Sequence, residues 1–115
     1  MEDCIFCKII AGKIDTKFVY KDEIAVAFND IHPLAPVHVL IVPIEHINSL
    51  TDMGPTHEGM MGHLLRVCNE VAKINGIAER GFRVVINSGP EGGQVVPHLH
   101  LHVLGGKSLK GGGAK

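Results

Sequence analysis

Apolar residues recur along this chain with two different periods, and the alternation between them outlines the fold. Helical spacing comes first. Within Cys4 to Ala11, the residues Ile5, Phe6 and Ile9 mark a short amphipathic helix, and Gly12 is a natural stop. Two runs of strand character follow, Phe18-Val19-Tyr20 and Ile24 to Phe28, joined by the polar turn Lys21-Asp22-Glu23. Pro33 and Pro36 mark a rigid loop, after which His38 to Val42 reads as a third strand that Pro43 ends. One long helical pattern covers residues 55–75, with Met60, Met61, Leu64, Val67, Cys68, Val71 and Ile74 at i, i+3 and i+4. Pro55 suits its first turn and Gly76 its C-terminal cap. The methionines and Cys68 read as core residues. Phe82 to Ile86 is a fourth strand, and a glycine-rich turn leads to a fifth, Pro97 to Val103.

Five strands with short connections and one long helix predict an α+β domain with a mainly antiparallel sheet. The loop between the fourth and fifth strands is too short for a parallel crossover. Residues 1–106 form a single domain in this reading, and 107–115 a Gly/Lys tail with little to bury, expected to be flexible.

Composition narrows the function classes. A chain of 115 residues that is 45% hydrophobic supports one real core. The net charge of -1, without a basic stripe, gives no support for nucleic-acid binding. No apolar run approaches the roughly 20 residues of a membrane span. The start, Met1-Glu2-Asp3, lacks the features of a secretory signal, and the three cysteines (Cys4, Cys7, Cys68) are an odd number. A reducing cytoplasm is the expected location.

The chemistry concentrates in Pro97-His98-Leu99-His100-Leu101-His102-Val103. On a strand, His98, His100 and His102 would share one face, with neighbours roughly 7 Å apart, while Leu99, Leu101 and Val103 turn into the core. A solvated polar face is the plain alternative. Against it, one ionisable residue type occurs three times, and imidazole titrates near neutrality, at about pH 6.5. Asn87 to Gln94 can be an ordinary hairpin loop, or its backbone N–H groups can converge on anionic oxygens. Cys4-x-x-Cys7 is half a metal site that His46 or His98 could complete. A redox pair or two unlinked thiols are the alternatives.

With these residues in place, the chain resembles the histidine triad (HIT) superfamily, and within it the Hint branch of nucleoside phosphoramidases. The likeness covers residues 4 to about 106. It rests on Cys4 to Ile10, Ala27 to Ile31, Ala35 to His38, Pro43 to Ile47, Val84 to Asn87 with Gly92-Gly93-Gln94, and His98 to Gly106. The resemblance implies two-step nucleotidyl transfer. His100 would attack the α-phosphorus of a purine nucleotide of AMP or GMP type, and water would then release the monophosphate. His102 would contact the phosphate or leaving group, His38 would support the network, and Asn87 with Gly93, Gln94 and Val95 would hold phosphate oxygens. Asp30 would accept from the ribose hydroxyls, between apolar walls from Phe6, Ile9, Ile14, Phe28 and Ile31.

The resemblance further implies a structural Zn2+, one per chain, on Cys4, Cys7, His46 and His98, with no cofactor needed for the chemistry. It also implies a homodimer whose two sheets join into ten strands through the long helix and fourth strand. Two departures stand out. Val95 occupies a position where the family often has serine, and the chain has no tryptophan, so the C-terminal tryptophan of eukaryotic Hint proteins is missing. The rival readings are a dinucleoside polyphosphate hydrolase, a metallohydrolase with a catalytic zinc on the three histidines, and a non-catalytic nucleotide-binding scaffold.

Overall fold

The computed structural model of the chain describes residues 3–111. Met1, Glu2 and the last four residues of the tail lie outside the described residues, and with them part of the expectations for the two ends. The elements run α1 (Ile5–Ile10), β1 (Phe18–Lys21), β2 (Ala25–Asn29), β3 (Val37–Pro43), α2 (Glu58–Ile74), β4 (Phe82–Val85) and β5 (Leu101–Gly105). The strands form one antiparallel sheet in the order β1-β2-β3-β5-β4. The α+β reading holds.

Period-two alternation decides which face each side chain takes. Ala25, Ala27, Val39 and Ile41 meet Leu64, Val67, Cys68, Val71 and Ala72 of α2 in the main core. Val26, Phe28, Leu40 and Val42 face the other way and pack with Phe6 and Ile9 of α1 in a second core. Strands β2 and β3 are therefore buried on both faces, which is why they read as continuous apolar runs. Leu99, Leu101 and Val103 join the α2 core and are essentially fully buried. Truncating Leu101 to Ala would cost about 2–5 kcal/mol through lost burial and a cavity.

Several expectations need correction. The fifth strand begins at Leu101, so only His102 of the row lies within it. The ladder stops because Pro43, the end of β3, has no N–H, and its carbonyl accepts from the His98 ring at 2.9 Å. The Leu99 N–H turns to the Ile47 carbonyl instead, at 2.6 Å. The alternation survives this break: His98 and His100 are buried on the α1 side, so the solvated-face alternative fails. Residues 55–57 form a 3-10 turn ahead of α2. Ile5 and Ile74, read as apolar-face residues, are exposed, because α1 turns Phe6 and Ile9 inward and Ile74 lies in the last turn of α2.

The β1–β2 turn is more than a polar reversal. Asp22 accepts from the Ile24 and Ala25 amides at 2.7 and 2.8 Å, and from the Tyr20 hydroxyl at 2.7 Å. His63 of α2 lies 2.6 Å from the same carboxylate. Burial pushes this carboxyl up, but the combined donors outweigh it and hold it well below the usual range. The hairpin is thereby latched to α2. At the other end of the chain, Arg83 donates to the Leu109 carbonyl at 2.6 Å, tying down the start of the tail.

Candidate active site and adjoining metal centre

The histidines divide into two groups, and the hydrogen bond on one ring nitrogen decides what the other can do. In the first group, the Leu34 amide donates to Nδ1 of His38 at 3.1 Å. That nitrogen is therefore bare, and the His38 proton sits on Nε2. Nε2 is 2.9 Å from Nδ1 of His102, to which it donates, and 3.5 Å from Asp30 Oδ2. A neutral His102 is then left with its proton on Nε2. Nδ1 of His100 donates to the His98 carbonyl at 2.7 Å, which leaves its Nε2 bare.

Burial favours the neutral form of the His100 and His102 rings. Burial lowers the pKa of His100 despite its backbone hydrogen bond and the nearby Asp30. Burial, followed by the neighbouring His100 and His38, lowers His102 to about 4. The His100 and His102 rings stand 5.0 Å apart between centroids, closer than their strand spacing. Phe6 packs edge-on against His100 at 5.1 Å, which limits access of water to that side. The site thus presents a neutral imidazole nitrogen with a free lone pair beside a second imidazole that donates.

The glycine loop is braced from within. The Gln94 carboxamide accepts from the Gly89 amide at 2.9 Å and donates to the Asn48 and Val96 carbonyls at 2.6 and 2.9 Å. Asn87 donates to the Gly92 carbonyl at 2.8 Å. Gly93 has φ +82, and a Cβ at Gly92 would strike the Ser88 carbonyl, so both positions require glycine. The side chain of Gln94 thus shapes the loop, and its neighbour Val95 is 87% exposed.

Asp30 lies beside the His38–His102 pair, with Oδ1 taken by the His32 amide at 2.8 Å and Oδ2 near His38. Of the proposed apolar walls, Phe6, Ile9 and Phe28 are buried in the second core. Ile14 and Ile31 are exposed, Ile31 at 85%.

The second group comprises Cys4, Cys7, His46 and His98, whose ligand atoms all lie within 4.8 Å of one another. His98 Nδ1 is 3.2 Å from the Cys4 sulfur and 3.6 Å from that of Cys7, and His46 Nδ1 is 3.2 Å from Cys7. Donors on a tetrahedral zinc stand about 3.3–3.8 Å apart, so the set fits that ion. Each imidazole is oriented from behind: Nε2 of His98 donates to the Pro43 carbonyl at 2.9 Å, and Nε2 of His46 to Asn48 Oδ1 at 2.7 Å. Both Nδ1 lone pairs therefore face the sulfurs. Burial, then the adjacent Cys4, push the Cys7 thiol up, so a bound cation is what would bring it to thiolate.

This arrangement contradicts the rival with a catalytic zinc on the three histidines. His98 is turned to the Cys4 and Cys7 sulfurs, away from any ion that His100 and His102 could share. Sequence reading missed Asn48, the Pro43 carbonyl and the Leu34 amide. Backbone groups carry no signature in a sequence, and Asn48 offered only its place two residues beyond His46.

A five-stranded antiparallel sheet carrying a neutral imidazole pair beside a glycine-rich loop defines a histidine-triad domain. The chain belongs to the HIT domain family, whose model matches residues 11–109. It is 47% identical over 108 residues to an uncharacterised HIT-like protein of Synechococcus elongatus, covering 94% of each chain. It is 43% identical over 108 residues to the purine nucleoside phosphoramidase of Escherichia coli K12, covering 94% of this chain and 91% of that one. Among solved structures, a histidine triad protein from Clostridium difficile superposes with a TM-score of 0.93 at 46% identity, covering 96% of each chain.

Proposed function

We propose that the chain is a nucleotide hydrolase of the purine nucleoside phosphoramidase type, acting through a covalent nucleotidyl-histidine. The observation that carries this reading is the His100 ring, with Nδ1–H tied to a carbonyl at 2.7 Å and Nε2 bare. A fixed tautomer supplies the lone pair without a separate base. In the first displacement a bond forms between Nε2 and the α-phosphorus, and the bond from phosphorus to the leaving group breaks. The departing atom takes up one proton, with His102 Nε2–H as its hydrogen-bond donor. In the second displacement water attacks phosphorus, the N–P bond breaks and the ring returns to neutral. Solvent supplies and recovers the protons over the whole cycle.

Asn87 and the backbone amides near Gly93 to Val95 hold the phosphate oxygens as charge develops. Asp30 accepts from the ribose, and the apolar residues around Phe28 and Ile31 meet the base. The 43% identity to a purine nucleoside phosphoramidase supports this substrate class. Cys4, Cys7, His46 and His98 hold a structural zinc, which closes its coordination shell and ties α1 to the sheet. The active form is a cytoplasmic homodimer joined through α2 and β4.

The test is to mix the protein with adenosine 5′-phosphoramidate, quench rapidly, and map the adduct by mass spectrometry. An AMP-sized addition on His100 is expected. Turnover by inversion at phosphorus, with no adduct, would overturn the reading.

A further inference from the structure

We infer that His98 is a positioning residue that couples the metal centre to the nucleophile, so that metal loading sets the orientation of His100. The inference rests on the reading of His100 as nucleophile and adds a control to that site. His100 lies one residue before β5 and lacks the ladder support that holds His102. Its anchors run to the metal centre instead. The His98 carbonyl accepts from His100, while the ring of the same residue faces Cys4 and Cys7 on one side and the Pro43 carbonyl on the other. The intervening Leu99 amide is held by Ile47, the neighbour of ligand His46.

A third link comes from α1. Phe6 lies between the two cysteines in sequence, and its ring packs edge-on against both His98 and His100, at 5.8 and 5.1 Å. An ion drawing Cys4, Cys7, His46 and His98 together would therefore clamp three separate chain segments, each of which touches His100 or its holder. His98 itself is 0% exposed, so its ring is held by close packing between its hydrogen-bond partners. Coupling through a packed, hydrogen-bonded residue is reciprocal.

The test uses full-length, 15N-labelled protein stripped of metal and titrated with Zn(II). The Nδ1–H resonance of His100, assigned by its loss in His100→Asn, is expected to sharpen on loading. Its solvent exchange should slow at least about tenfold. By reciprocity, saturating AMP should tighten Zn(II) binding by roughly fivefold or more, measured by chelator competition. If stripped protein unfolds, Asn48→Ala at limiting zinc keeps all four ligands, and His100 exchange should then track the loaded fraction. Zinc bound at one per chain with the resonance and the AMP effect both unmoved would overturn the coupling, as would failure to bind zinc. Neither readout needs turnover, so a missing nucleotidyl-histidine with an intact zinc response would sink the mechanism alone.

Discussion

The His38–His102–His100 group and the Cys4–Cys7–His46–His98 group use the same side chain to opposite ends. In the candidate metal centre, both imidazoles donate their Nε2–H to oxygen acceptors and aim Nδ1 at sulfur. In the other group, His100 donates its Nδ1–H to a carbonyl and keeps Nε2 bare, and His38 donates its Nε2–H to Nδ1 of His102. The burial of the rings is similar; the partner behind each ring differs. A histidine's role here is therefore set by the group on its far nitrogen, which fixes the tautomer.

The sharpest way to separate the two groups is His100→Asn. The amide preserves a polar group of similar reach but supplies no nucleophilic ring nitrogen. Turnover of adenosine 5′-phosphoramidate should fall by roughly 10⁴-fold or more, as expected for loss of a covalent nucleophile. Zinc content and AMP binding should be retained. Loss of zinc in this variant would show that the two groups cannot be treated as distinct in function.

Acid is the next probe. The pKa of His102 is about 4 in the folded chain against about 6.5 when unfolded, so across that window the folded state binds fewer protons. Stability is then fully present above about pH 6.5 and is lost as pH falls through 4, by up to about 3 kcal/mol from this group. Urea unfolding at pH 7 and pH 4.5 should show a smaller pH-dependent loss in His102→Gln than in the parent. The downward shift of His100 in the unliganded chain moves the acid limb of kcat/KM below pH 6.5. An acid limb at or above that value would mean the ring is solvated in the working enzyme.

Asn48→Ala tests the metal side. The substitution removes the acceptor behind His46 and leaves its backbone carbonyl for Gln94. Zinc affinity should drop roughly 10–100-fold, the usual cost of losing a ligand's orienting partner. Unchanged affinity by chelator competition would show that the far-side hydrogen bond is dispensable in this centre.

Much of this comparison was legible in the sequence, for identifiable reasons. The alternation His-Leu-His-Leu-His placed three rings on one side and Leu99, Leu101 and Val103 in the α2 core, and the structure keeps that division. Long α2 was readable from the spacing of Leu64, Val67, Cys68 and Val71. The break at Pro43 was harder to read, because a strand's end depends on its partner's hydrogen bonds as well as its own residues. The split of the histidines into two groups was equally hidden. It depends on the carbonyls of Pro43 and His98, which any residue type can supply, and on the amide of Leu34, which any residue type except proline can supply. The Asp22–His63 latch was missed because its partners stand 41 residues apart.

The smallest predicted effect tests how finely the loop tunes the proposed catalytic group. Val95 is 87% exposed, and its neighbour Gln94 is fixed by three hydrogen bonds that do not involve the Val95 side chain. Val95→Ser should therefore leave stability within about 0.5 kcal/mol. The new hydroxyl adds one neutral hydrogen-bonding group, worth about 0.5–1.5 kcal/mol where it finds a partner. The ratio of kcat/KM between a polar and a bulky apolar leaving group should thus move toward the polar one by roughly tenfold at most. Trapping on His100 and zinc content should stay the same, because neither group uses this side chain. A change of several degrees in Tm would mean that Val95 packs against the catalytic rings and helps exclude water from them.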